Sequence, residues 1–250
     1  MRRDGRPVPR LFVTAPLAQD GAAALSGDQN HYLSRVMRLK QGSALRLFNG
    51  RDGEWLAELT VEGARCNELL RPQSTGGEAW LLFAPPKKDR VRFLVEKATE
   101  LGVARLMPVT TEHTEPPETR RDKLNDWAIE ASEQCGRLDV PECLAQESLA
   151  ATLETWPADR LLLFCDEAGG APLLQVLEGA AGAVAFLVGP EGGFSPAERD
   201  ALVSDPRVAP VSLGPHILRV ETAAIAALSS WQALRTGDRL SGAAHRALPA

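Results

Sequence analysis

From residue 79 onward, short apolar runs alternate with segments whose apolar residues recur every three to four positions. A short run of four to eight apolar residues bounded by turn signals predicts a buried strand, and the longer period predicts an amphipathic helix. The pattern places strands over 79–84, 105–109, 160–165, 184–188 and 210–213. Helices are expected over 89–101, 120–135, 172–177, 195–203 and 221–234. Strand–helix alternation of this kind builds an α/β layer with a parallel sheet covered on both faces.

The first 72 residues read differently. Strands are expected at 10–14, 44–48, 54–61 and 65–70, with a helix over 28–38 that places His31, Arg35 and Arg38 on nearby faces. Asn49-Gly50 and Asp52-Gly53 between two such strands are hairpin turn signals. This suits a small β-rich barrel. Pro72 to Gly77 reads as a linker, so the expected domains are 1–72 and 73–250.

Two loops carry the chemistry. The apolar run 184–188 leads into Gly189-Pro190-Glu191-Gly192-Gly193-Phe194-Ser195-Pro196. There Ser195 suits an N-cap, Pro196 the first helical position, and Glu198 the acid of a capping box. The run 209–213 leads into Gly214-Pro215-His216-Ile217-Leu218-Arg219, followed by the stripe Val220, Ala224, Ala227, Trp231 and Leu234. Open parallel sheets bind ligands at the carboxyl ends of their strands, and glycine there allows close backbone approach. The same glycines also serve tight turns without a ligand. Neither loop has the Lys-Ser/Thr of a P-loop or the spacing of a dinucleotide turn.

Composition narrows the classes. Hydrophobic residues make up 44% and charged residues 24%, ordinary for a soluble globular protein. No apolar stretch reaches membrane-spanning length, and no signal-like apolar segment follows the basic N-terminus, so a cytoplasmic protein is expected. Cys66, Cys135, Cys143 and Cys165 form no Cys-x-x-Cys pair, and the four histidines lack metal spacing. Reduced thiols and no metal are the expectation. The net charge of −5 divides into +3 over residues 1–72 and −8 over the rest, which favours phosphate contact by the N-terminal third. Lys87 and Lys88, with Arg90 and Arg92, form a basic cluster that is either an RNA contact or a solvated face. The stripe Phe93, Leu94, Lys97, Ala98, Leu101 reads as a core-facing helix side.

The two loops together with Lys97-Ala98-Thr99-Glu100-Leu101-Gly102-Val103 resemble the small-subunit ribosomal RNA uridine-N3 methyltransferases, members of the knotted SPOUT class. Arg10-Leu11-Phe12, His31-Tyr32-Leu33, Val36-Met37-Arg38, Leu47-Phe48-Asn49-Gly50 and Glu133-Gln134-Cys135-Gly136-Arg137 extend the resemblance over nearly the whole chain. It implies a PUA-like RNA-binding domain, then a SPOUT-type parallel sheet with a C-terminal trefoil knot. It also implies S-adenosylmethionine as methyl donor, small-subunit ribosomal RNA or the small ribosomal subunit as substrate, and a homodimer. Trp231 belongs either to the core or to that dimer surface. Other readings are a SPOUT enzyme acting on transfer RNA or another atom, and an RNA-binding factor without catalysis.

On this resemblance Leu187, Val188, Gly189, Glu191, Gly192 and Gly193 form one wall of the cofactor site, and Leu213, Gly214, Ile217 and Leu218 another. Uridine N3 carries an imide proton, so methylation needs a base or a stabilised anion. Arg219 is the candidate for stabilising charge and Glu221 for the base; Glu221 equally complements a helix dipole. Arg10, Arg35, Arg38, Lys87, Lys88 and Arg137 are candidate RNA contacts, although Arg137 also suits a helix end capped by Gly136. His113 and His216 stand where the family pattern has arginine, and Cys135 where it has serine.

Overall fold

The computed structural model describes residues 2–3, 6–74, 77–114, 119–180 and 182–241, without the side chains at 2–7, 88 and 236–241. Residues divide into two compact units, Met1–Gly76 with Ile129–Val140, and Gly77–Ala128 with Pro141–Ala250. The end of the helix Arg121–Cys135 and the turn after it therefore belong with the N-terminal strands.

In the first unit, five strands lie in the order Arg10–Phe12, Ala44–Phe48, Glu54–Leu59, Ala64–Arg71, Ala22–Ala23. Arg10–Phe12 pairs in parallel with Ala44–Phe48, and the remaining pairs are antiparallel. Alternate residues Leu45, Leu47, Trp55, Ala57 and Leu59 turn inward with Leu11, Leu33 and Cys66 to form the core. The hairpin turn requires Gly53: its φ is +82°, and a Cβ there would sit 2.3 Å from the Arg71 carbonyl oxygen. The expected 28–38 helix is an α-helical turn, Gly27–His31, followed by a π-helical turn, Tyr32–Val36. Ser26 and Gln29 form a capping box at its start.

The second unit holds a parallel sheet of eight strands among the described residues. Its order is Glu142–Cys143, Arg105–Thr110, Trp80–Phe83, Ala183–Val188, Arg160–Cys165, Val208–Ser212, Ala171–Pro172, with Glu147–Ser148 also on Arg105–Thr110. The strands forming its centre run almost unbroken in apolar residues, as a sheet buried on both faces requires. Leu82, Leu162, Phe164, Ala185 and Leu187 pack on one face beneath Leu149 and Leu202, which come from the helices Leu149–Glu154 and Pro196–Ser204. The helix Val220–Ser241 packs against the helices Lys88–Glu100 and Leu173–Gly179 and the strand Ala183–Val188.

Two features depart from expectation, and for Trp231 the core alternative holds. The buried stripe of Lys88–Glu100 is Val91, Leu94, Val95 and Ala98; Phe93 is 44% exposed, with the Lys97 ammonium above its ring. Leu149–Glu154 is a six-residue helix capped by Ser148 that periodicity did not reveal. Trp231 is a core residue, 7% exposed, and a Cβ on Gly77 would strike its ring at 2.4 Å.

Candidate functional site

A cleft opens at the carboxyl ends of three neighbouring strands, Arg160–Cys165, Ala183–Val188 and Val208–Ser212. It is lined by Val188, Gly189, Pro190, Gly193 and Phe194 from one loop and by 211–218 from another. Cys165, Asp166, Glu167 and Ala168 come from a third loop, and Arg199 and Ala223 complete the lining. The structure thus gathers Val188, Gly189, Gly193, Leu213, Gly214, Ile217 and Leu218 around one space. Leu187 is buried in the core beside it, and Glu191 and Gly192 stand outside the lining.

The glycines have separate causes. A Cβ on Gly189 would meet the Phe194 ring at 2.3 Å, so Gly189 admits that ring, which packs edge-on against Phe164 with centroids 5.0 Å apart. Gly214 adopts φ +123°, where L side chains are strained, with open space where a side chain would project. The Gly193 N–H closes a turn on the Pro190 carbonyl at 3.0 Å. The His113 ring nitrogen Nδ1 lies 3.1 Å from the carbonyl oxygens of both Gly192 and Gly193. His113 therefore holds the glycine loop from outside. Ser195 caps the next helix in the expected capping box, and the Glu198 carboxylate also accepts from the Glu112 N–H.

The charges are unevenly paired. Asp166 is buried, receives the Arg199 guanidinium at 2.9 Å, and accepts from the Ala168 N–H at 3.0 Å. Glu167 stands exposed at the cleft beside Gly193 and forms no ion pair among the described residues. Burial pushes the Cys165 thiol up to about 12, so it is neutral near pH 7 and supplies no thiolate nucleophile. Leu213, Ile217 and Leu218 supply apolar wall. A cleft with apolar residues in its lining and one carboxylate that forms no ion pair among the described residues suits a cationic ligand.

Glu221 and Arg219 lie at the start of Val220–Ser241, just outside the lining. Arg219 is exposed, and its carbonyl begins the helix by accepting from the Ala223 N–H. Glu221 is 12% exposed; its Oε1 lies 3.8 Å from Arg90 Nε, and its buried Oε2 has no hydrogen-bond partner among the described residues. Arg90 also binds Glu191. One guanidinium thereby ties the glycine loop to the start of the last helix.

The expected RNA contacts fall into distinct settings. Arg35 and Arg38 are exposed. Arg10 is turned inward, its side chain 7% exposed, donating to Glu54 at 2.6 Å, to the Ser132 carbonyl at 2.6 Å and to the Arg137 carbonyl. Arg137 is also largely buried and bonds Asp139. Lys87 is exposed ahead of its helix; the Lys88 side chain lies outside the described residues.

Asp166, Glu167 and Arg199 were not anticipated. The signal was present: Asp166-Glu167-Ala168-Gly169-Gly170 also follows a buried strand, and the strand-end rule applies to it equally. His216 lines the cleft, while His113 supports the loop. Among the described residues no helix is long and apolar enough to cross a membrane.

The strand-end cleft and the separate β-rich unit define a ligand-binding α/β domain joined to a small β module. Residues 73–232 match the family model for the RNA methyltransferase domain, and residues 25–65 match that for the RNA methyltransferase PUA domain. The chain belongs to the RNA methyltransferase family. It is 31% identical to the ribosomal RNA small subunit methyltransferase E of Rickettsia conorii, over 88% of this chain and 93% of that one. It is 30% identical to the protein of the same name from Synechocystis, over 90% and 77%. Among solved structures, the ribosomal RNA small subunit methyltransferase E of Neisseria gonorrhoeae, bound to S-adenosyl methionine, superposes with a TM-score of 0.79 at 28% identity. That match covers 91% of this chain and 98% of that one. A Legionella pneumophila protein in complex with the same cofactor gives a TM-score of 0.78 at 27% identity, over 92% and 98%.

Proposed function

We propose that this chain methylates N3 of a uridine in small-subunit ribosomal RNA, on the assembled small subunit, with S-adenosylmethionine as donor. The observation that carries the reading is the cleft formed by three strand-end loops inside the region matched to the RNA methyltransferase domain. The relatives' names and the cofactor in the Neisseria structure support the substrate and the donor.

Leu213, Ile217, Leu218 and the backbone at 188–189 and 213–214 would hold the adenosine part. Glu167 would face the positive charge. When bound, S-adenosylmethionine supplies an electrophilic methyl carbon. The chain's task is then to take the N3 proton and stabilise the uracil anion. Glu221 is the base in this reading: its carboxylate, oriented by Arg90, accepts the imide proton. Arg219, exposed beside it, faces the charge that develops on the uracil oxygens. N3 loses its proton to the carboxylate and gains the methyl group.

The order of the strands supports a C-terminal trefoil knot. Ala183–Val188 and Val208–Ser212 flank Arg160–Cys165, so the chain crosses that strand between them. Residues 1–72 hold the RNA and 73–250 the cofactor. The enzyme is a cytoplasmic homodimer, needs no metal and contacts no membrane.

The test is calorimetry with S-adenosylmethionine, followed by transfer of labelled methyl to purified small subunits and mass-spectrometric mapping of the product. Absence of cofactor binding would overturn the reading. Label on transfer RNA, or on an atom other than uridine N3, would replace its substrate.

A further inference from the structure

The turn Tyr32–Val36 is wound wider than an α-helix, with the Met37 N–H reaching back to the Tyr32 carbonyl at 3.0 Å. Single π turns occur often at functional sites. Leu33 anchors this one, fully buried in the core of the first unit. Tyr32 and Val36, four positions apart, face outward at 45% and 64% exposure. At the end of the segment Arg38 takes φ +53°, a left-handed conformation that costs a large side chain energy.

The charges around the turn are unspent. Residues 26–40 carry Arg35, Arg38 and Lys40 against one acid, Asp28. Neither Arg35 nor Arg38 forms an ion pair among the described residues, whereas Arg10, Arg46 and Arg71 all converge on Glu54. Tyr32 is the only tyrosine of the chain. An exposed aromatic ring in a segment with two exposed arginines that form no ion pair among the described residues matches the way single-stranded RNA is held, bases on aromatic faces and phosphates on arginine.

We propose that Tyr32 is a stacking platform for an unpaired base of the RNA substrate, with Arg35 and Arg38 on the flanking phosphates. This rests on the reading that residues 1–72 hold RNA. The π turn directs the ring outward while Leu33 fixes its base in the core. Stacking is indifferent to the identity of the base, so Tyr32 contributes affinity and register, and the choice of uridine belongs to the cleft.

Stacking and phosphate contact separate by salt. Binding of the labelled protein to the RNA of purified small ribosomal subunits would be followed by anisotropy over a range of salt concentrations. Tyr32→Ala should weaken binding by roughly 5- to 150-fold, the range of one lost base stack, with an unchanged salt slope. Tyr32→Phe should bind like wild type. Arg35→Ala and Arg38→Ala should each reduce the slope by about 0.7, as one lost phosphate contact on a single strand does. S-adenosylmethionine affinity and thermal midpoint should stay at wild-type values in Tyr32→Ala. Wild-type RNA affinity in Tyr32→Ala would overturn the inference. So would equal losses in the Phe and Ala variants, or a changed sedimentation coefficient, which would mark Tyr32 as a protein contact. A wild-type chain that binds cofactor but not RNA would overturn the RNA-holding reading and this inference with it.

Discussion

Glu54 has no exposed side-chain surface, yet three guanidiniums reach it, Arg10 at 2.6 Å and Arg46 and Arg71 at 2.8 Å. Burial alone would push its pKa up; the hydrogen bonds from Arg71, Arg46 and Arg10 outweigh burial and hold it at about 2. A carboxylate whose pKa is lower in the folded state stabilises the fold above its unfolded value. That contribution disappears as pH falls from about 4.5 toward about 2, and amounts to about 3 kcal/mol. Circular dichroism across this window should show stability falling in wild type and a flatter response in Glu54→Gln. The variant strands three arginines, and at pH 7 it should lose roughly 3–5 kcal/mol of stability; a variant as stable as wild type would refute the ion cluster. Arg90 is the corresponding residue in the second unit. Arg90→Ala should weaken S-adenosylmethionine binding roughly 2- to 12-fold, equivalent to 0.5–1.5 kcal/mol for one hydrogen-bonded contact, with Arg90→Lys between. Unchanged calorimetric affinity would show that the loop needs no tie to the last helix.

At the level of elements, the glycine loops were readable because their residues are unusual where they stand. Ser195, Pro196 and Glu198 announced the helix start, and the capping box forms as the sequence suggests. Glu198→Ala should cost about 1 kcal/mol from the cap, and should further loosen the Glu112 segment that the same carboxylate holds at 2.9 Å; hydrogen exchange at the Glu112 amide would rise. Gly214→Ala puts a side chain at φ +123° with nothing nearby to clash. The resulting strain should shift the loop and lower cofactor affinity while the sheet persists; wild-type affinity would show that the loop tolerates another conformation. Other parts were not readable. Strands of two residues, such as Glu142–Cys143 and Ala171–Pro172, are too short to show a period. Arg90 looked like one member of a solvated cluster because its partner Glu191 lies 101 residues away. Phe93 fits a helical stripe on paper, but Val91, Leu94, Val95 and Ala98 already fill the buried face. Asp166 and Glu167 follow a buried strand in the sequence, but acids in loops are commonplace, so that position alone did not single them out.

For the whole molecule, the clearest test of divided labour is by surface substitution. Joint loss of Arg35 and Arg38 should reduce RNA affinity and its salt slope, leaving S-adenosylmethionine affinity unchanged; a parallel fall in both affinities would contradict the division. Cutting the chain at residue 73 is a poorer test. Ile129–Val140 belongs to the first unit, and Arg10 donates to carbonyls at Ser132 and Arg137. The cut would therefore strip partners from a segment it leaves behind. This interleaving also bears on biosynthesis. The N-terminal strands are complete at Arg71, but their unit is not until Val140 has been made. At roughly 5–20 residues per second the difference is several seconds. During that interval the Arg10 guanidinium lacks the carbonyls that receive it, and the nascent first unit waits half-assembled on the product of a later stretch of message.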